Sequence, residues 1–199
     1  MGYQKSAKCL TDAQIRAVMN YLSEGRHALR NRLIFLLSVK SGLRAKEIAD
    51  LTWEMVLNSD GEIGTSIHLT DTASKGRSGR VIPMNKELRE ELIAYHKETM
   101  TSQDAKKQGP WVITTDRSPK TTSQTIINMF RTWYSELGFL GCSSHSGRRT
   151  FITRSARKIS TVGGSLRDVQ YLAGHSNLQT TQRYIDYDTD SQKRIVDVI

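Results

Sequence analysis

Residues 144–184 read SHSGRRTFITRSARKISTVGGSLRDVQYLAGHSNLQTTQRY, and the rest of the chain is organised around them. His145 and Arg148 stand three positions apart. On a helix that is nearly one turn, so both side chains can point at one target. Gly174-His175 follows, and Tyr184 comes nine residues after that histidine. A short segment after the glycine can deliver the Tyr184 hydroxyl to the same target. Two cationic or proton-bearing groups and one hydroxyl suit a phosphodiester.

Within this stretch the helix signals are local. Ser144 is placed to cap a helix carrying His145, Arg148, Arg149 and Arg154, with Phe151 and Ile152 on its apolar side. Ser165 and Asp168 resemble a capping box opening a second helix, with Val169 and Leu172 inward and Gly174 at its end. A short polar helix over 177–187 bears Tyr184 and Tyr187.

Upstream, residues 1–10 read as a loose basic lead-in. Thr11 and Gln14 form a capping box for a helix with Ile15, Val18, Met19 and Leu22 as its stripe. HALRNRLIFLLSVKS at 27–41 predicts a strongly apolar central helix, ended by Gly42 in a left-handed cap. Arg44 opens a third short helix, and Glu47 lies one turn on. SIHLT at 66–70 and RVIPM at 80–84 alternate as strands do. Between them DTASKGRSG predicts a hairpin tip that projects Lys75 and Arg77. An amphipathic helix at 85–100, a polar loop, a short buried WVIT segment at 111–114 and a capping box at 121–124 follow. That last box opens a helix closed by Gly138. The fold class is therefore mainly α with a small antiparallel β-sheet (α+β).

The chain has 199 residues, long enough for a sizeable core without staples. Hydrophobic content of 37% and charged content of 25% are ordinary for a globular protein. There is no apolar run of membrane-spanning length and no secretory leader, so a cytoplasmic, nucleoid-associated location is expected. Two cysteines, Cys9 and Cys142, make neither a disulfide framework nor a zinc quartet. The formal net charge of +9 fits a polyanionic partner, with nucleic acid first. Arg77, Arg80, Lys120, Arg131, Arg149 and Arg154 are the candidate backbone contacts.

Cleaving a DNA strand with a protein nucleophile sets requirements. A hydroxyl must lie in line with phosphorus, and cations must hold the non-bridging oxygens. One group takes the nucleophile's proton and another protonates the departing oxygen. Tyr184 can supply the hydroxyl, and Arg44 and Arg148 can clamp the oxygens with guanidinium forks. His145 can shuttle the phenol proton, Lys75 can protonate the 5′ oxygen, and His175 can donate to a phosphate oxygen. No carboxylate cluster of metal-ligand spacing is evident, which disfavours a two-metal nuclease.

On these residues the chain resembles the tyrosine recombinases of the phage-integrase family. SGLRAKEIADLTW looks like the box with the first catalytic arginine, at Arg44. HSGRRTFITR looks like the H-x-x-R box, and LAGHSNLQTTQRY like the final box with His175 and the nucleophile Tyr184. The family's hairpin lysine falls at Lys75, and Glu47 matches an acidic position that supports the site from behind. The likeness spans 11–187, and the tail at 188–199, with its apolar Ile195, Val196, Val198 and Ile199, would dock in trans on a neighbour or pack on its own domain.

The resemblance implies a metal-independent strand transferase with no cofactor, working on double-stranded DNA through a 3′-phosphotyrosyl intermediate for integration, excision or inversion. It implies self-association to dimers and tetramers on DNA and leaves room for accessory DNA-bending proteins. A type IB topoisomerase-like relaxase and a non-catalytic binding module are the rival readings. The full set Arg44, Lys75, His145, Arg148, His175 and Tyr184 favours an active enzyme. Gly147 and Arg149 depart from the family's common Leu and His. The family's usual N-terminal helical domain has no counterpart in the sequence, which implies an excised catalytic domain or a short inversion-switch-type recombinase.

Overall fold

The computed structural model describes residues 7–73, 79–101, 109–184, 196–197 and 199. Helix α1 (Asp12–Glu24) opens on Thr11, whose side chain accepts from the Gln14 amide while Gln14 reaches back to Thr11. The capping box read from the sequence is therefore formed. Helix α2 (Ala28–Ser41) is the centre of the molecule. Leu33 through Val39 are all buried and, Ser38 apart, all apolar, as a helix segment enclosed on every side should be. Helices α1, α4 (Lys86–Thr101) and α6 (Ser146–Lys158) pack against it.

Gly42 ends α2 at φ 67°, a left-handed conformation that costs glycine little. The chain turns at once into α3 (Ala45–Ala49), which packs on α5 (Ser123–Glu136). Phe35 meets Phe130 of α5, which in turn touches Trp133 and Tyr134, so aromatic rings bridge α2 and α5. The buried segment at 111–114 lies along residues 51–53, with Val112 N donating to Leu51 O and Trp53 N to Pro110 O.

Strands β1 (Ser66–Leu69) and β2 (Arg80–Pro83) form the antiparallel hairpin, with Ser66 opposite Pro83 and Leu69 opposite Arg80. Its tip lies outside the described residues. The base is fixed: Gly79 N donates to Asp71 Oδ1, and Lys46 Nζ donates to the carbonyls of Thr72 and Ala73. Helices α7 (Leu166–Ala173) and α8 (Leu178–Gln182) complete the described fold. Ile152, Val169 and Ala173 make a small apolar cluster under them, separate from the main core, with Phe151 and Tyr184 against it.

Three local expectations are corrected. The lead-in is not loose at 7–10: Leu10 is buried, its N–H donates to Thr150 Oγ1, and Lys8 N donates to Gly141 O. The residue before α6 is His145 rather than Ser144, because Ser146 Oγ accepts from Ser143 N and draws the serines into their own turn. The cap of α5 is Thr122, whose hydroxyl accepts from Thr125 N; Thr121 is buried instead.

Candidate active site

Arg44 is set by the glycine turn before it. Leu43 N donates to Leu37 O, which closes α2, and Arg44 leaves in an extended conformation as the residue before α3. Its N–H donates to Glu47 Oε2 and its Nη1 to Glu47 Oε1, each at 2.8 Å. Glu47 is fully buried, whereas the Arg44 side chain keeps 24% exposure. Nη1 is tied down, while Nη2 makes a long 3.4 Å contact with Gly174 O on the partly exposed side. Burial alone would raise the Glu47 carboxyl's pKa, but the bonds and charges of Arg80 and Arg44 outweigh it and hold it low. The carboxylate is therefore ionised behind Arg44.

Arg148, on α6, is almost wholly buried. Nη1 donates to Gly42 O at 2.6 Å, and Nη2 donates to Ala173 O at 2.7 Å. Both carbonyls end a helix, α2 and α7, where the chain's own bonding leaves acceptors open. Arg148 thus joins the two helix ends that carry Arg44 and His175. Its Nη2 also lies 2.9 Å from His175 Nε2. A guanidinium only donates, so Nε2 must accept. That assignment puts the ring proton on Nδ1, which faces Thr181 Oγ1 at 3.0 Å.

Burial, then the charges of Arg148, Arg44 and Arg80, push the His175 pKa down to about 4. The ring is neutral at pH 7. In this arrangement Nε2 of His175 accepts from Arg148, and the one ring proton, on Nδ1, faces Thr181. His145 is exposed overall, yet the protein around its ring, followed by the charges of Arg148 and Arg44, lowers its pKa too. A neutral, solvent-exposed imidazole beside these two arginines can accept a proton.

Tyr184 closes the site. Its backbone N–H donates to Thr181 O and its carbonyl accepts from Thr153 Oγ1. Its ring lies 5.5 Å from the His175 ring at an interplanar angle of 26°. The Arg149 guanidinium lies 5.5 Å from the ring centre. The nucleophile expected from the sequence is thus half-buried beside Arg148 and His175.

Arg44, His145, Arg148, His175 and Tyr184 are brought together by four different segments. Lys75 and Arg77 lie outside the described residues. Arg80 is a correction: its side chain is 1% exposed and bound to Glu47, so it is not a surface contact for DNA. Lys120 sits 3.8 Å over the Trp111 ring and pairs with Asp50; Arg131 is exposed on α5. Arg154 is committed to Asp12 Oδ1 and Leu10 O. Thr181 and Thr153 were missed by sequence reasoning. The first has a signal in hindsight, one helical turn before the nucleophile in TTQRY. Among the described residues no group of three His, Cys, Asp or Glu side chains could hold a metal ion. Among them, too, no helix is long and apolar enough to cross a membrane.

With this geometry in view, the comparison with known proteins is decisive. The model of the phage integrase family matches residues 8–190. The chain belongs to the phage integrase family. It is 28% identical over 193 residues to tyrosine recombinase XerA of Pyrococcus horikoshii, covering 96% of this chain and 60% of that protein. It is 30% identical over 187 residues to tyrosine recombinase XerC of Pediococcus pentosaceus, covering 92% and 56%. The chain thus spans less than two thirds of the curated relatives it matches. Two solved structures share the fold. One is a crystal structure of XerA recombinase, with TM-score 0.74 and 19% identity over 94% of this chain and 63% of that one. The other is XerH site-specific recombinase bound to palindromic difH substrate in a post-cleavage complex, with TM-score 0.75 and 17% identity over 96% and 52%. The mainly helical fold with a small hairpin, read from the sequence, is the fold of these catalytic domains.

Proposed function

We propose that this chain is the catalytic region of a site-specific DNA recombinase that cuts and rejoins duplex DNA through a 3′-phosphotyrosyl link at Tyr184. The observation that carries the reading is the meeting of Arg44, Arg148, His175 and Tyr184 at the facing ends of α2 and α7. Arg44 has Nη1 held by Glu47 at 2.8 Å, while Nη2 makes only a long 3.4 Å contact with Gly174 O on a partly exposed side chain, a contact that a phosphate oxygen can replace. Arg148 is held by carbonyls that are neutral, so its charge remains available to an incoming anion.

In the proposed step the Tyr184 oxygen attacks phosphorus, a new P–O bond forms, and the P–O5′ bond breaks. The phenol proton passes to neutral His145, and the departing 5′ oxygen takes a proton from Lys75. The reverse step, begun by a 5′ hydroxyl from a partner duplex, restores the phosphodiester and releases Tyr184. Bond energy is kept in the phosphotyrosine, so the reaction consumes no nucleotide and this reading routes no step through a metal. Exchange between two sites would use four protomers, with the segment 188–199 docking on a neighbour.

The test begins with a randomised pool of centrally nicked duplexes, from which covalent adducts are recovered on denaturing gels. Wild-type protein is expected to trap a defined sequence, and Tyr184→Phe to bind that duplex without forming adduct. Adduct persisting in Tyr184→Phe, through Tyr187 or any other group, would overturn the assignment. Joining of two selected sites distinguishes recombination from simple relaxation of supercoils.

A further inference from the structure

The sequence pattern put Arg80 among the cations of an exposed hairpin. The fold does something different with it. Arg80 opens β2, and its guanidinium turns inward to a place where three parts of the site meet. Nε donates to Leu172 O at 2.8 Å, near the end of α7. Nη1 and Nη2 donate to the two oxygens of Glu47, each at 3.1 Å. The same two oxygens accept from Arg44, one from its side chain and one from its backbone. Gly174, whose carbonyl lies 3.4 Å from Arg44 Nη2, is so close to Arg80 that a Cβ there would stand 2.6 Å from Nη1.

Charge accounting separates this group from the phosphate clamp. Glu47 and Arg80 cancel, and both are essentially removed from solvent. The pair therefore adds no net attraction for DNA. A buried pair of this kind is also weak ground for stability, since desolvating two charges offsets much of their attraction. What the pair does supply is geometry. A bidentate fork fixes the plane of the Glu47 carboxylate, and that plane sets the direction of Arg44. The third bond, to Leu172 O, fixes the helix end from which Gly174 and His175 emerge.

We propose that Arg80 is a positioning residue, which holds Arg44 through Glu47 and the His175 turn through Leu172, so that both face one phosphate. The proposal rests on the recombinase reading above and deepens it.

The experiment uses the duplex selected by the wild-type chain and measures single-turnover adduct formation. Arg80→Met is expected to slow adduct formation about 100-fold, the scale of a misplacement near 1 Å, while affinity for the uncut duplex changes less than about threefold. A second substrate carries a methylphosphonate at the scissile position, where a methyl group replaces one non-bridging oxygen and removes the charge. Arg44→Ala should be less impaired on that neutral substrate than on phosphate, because less charge needs clamping. Arg80→Met should show the same relief, and Arg80→Lys, which cannot span both oxygens and the carbonyl, only partial rescue. If Arg80→Met fails to fold, the double variant Glu47→Leu, Arg80→Met removes the unpaired charge and decides the matter by the same two substrates.

Folded Arg80→Met protein cutting within about threefold of wild type would overturn the proposal, as would equal loss on phosphate and methylphosphonate. Wild-type protein that traps no duplex would instead overturn the recombinase reading itself, and the proposal with it.

Discussion

Helices α2 and α6 approach so closely at Ser38 and Gly147 that an alanine in place of the glycine has no room. A Cβ at Gly147 would lie 3.0 Å from Ser38 Cβ and 3.3 Å from its carbonyl carbon, and closer still to Oγ. Carbon atoms in good contact sit about 3.5–4.0 Å apart, so the helices must separate by roughly half an ångström or more. Overpacking of this sort costs about 1–3 kcal/mol, and the better helix propensity of alanine returns about 1 kcal/mol. Gly147→Ala should therefore lose about 1 kcal/mol, a fall in Tm of about 2–4 °C for a chain of this size.

The Ser38 hydroxyl is buried and has no hydrogen-bond partner among the described residues. Ser38→Ala should then raise stability by about 1 kcal/mol, because an unpaired buried hydroxyl is removed. The two changes should couple: with Oγ gone, the new methyl at 147 has lost its worst neighbour. Four proteins melted by circular dichroism give the cycle, with an expected coupling of about 1 kcal/mol or more. Activity should suffer more than stability, since Arg148 is the next residue and holds two carbonyls at 2.6 and 2.7 Å. Additive effects, with no coupling beyond about 0.3 kcal/mol, would refute the claim that this contact sets the helix separation.

Gly174→Ala places a side chain at φ 59° and against Arg80, so it should destabilise by at least about 1–2 kcal/mol and slow cleavage, as melting and adduct assays can show together. His175 and His145 both have pKa values below the ordinary 6.5, so the unfolded state binds protons that the folded state refuses. The His175 contribution to stability is complete above about pH 6.5 and is lost as pH falls toward 4, and His145 acts in the same direction. Urea titrations across that window should show the decline, and His175→Gln should flatten it; an unchanged profile would contradict the shift. DNA affinity should fall steeply with salt, with log K dropping about 0.9 per decade for each phosphate neutralised, and Arg131→Ala should lower that slope by about one. A flat salt response would contradict a surface that grips the backbone.

What the sequence made legible was local or punctuated by glycine. Thr11 with Gln14, and Ser165 with Asp168, are contacts across three residues, and both capping boxes form as read. Gly42 and Gly174 stand where left-handed caps are needed, and both adopt them. The convergence of Arg44, Arg148, His175 and Tyr184 followed from residue types at fixed spacing in three boxes. What stayed hidden depends on distant partners. Nothing near Arg80 announces that its guanidinium will meet Glu47, thirty-three positions earlier. The lead-in looked loose because Leu10 owes its burial to α6, far along the chain. Gly147 looked like a mere departure from a family pattern until the closeness of Ser38 gave it a reason.

The stacking of Lys120 on Trp111 has a practical use. Of the three tryptophans, Trp53 and Trp133 are enclosed in the core, while Trp111 is partly open beneath an ammonium 3.8 Å from its ring centre. The indole emission of Trp111 therefore registers where that ammonium is. Titration with duplex, followed by intrinsic fluorescence and repeated with Trp111→Phe, reports without any attached dye whether Lys120 leaves the ring for the ligand.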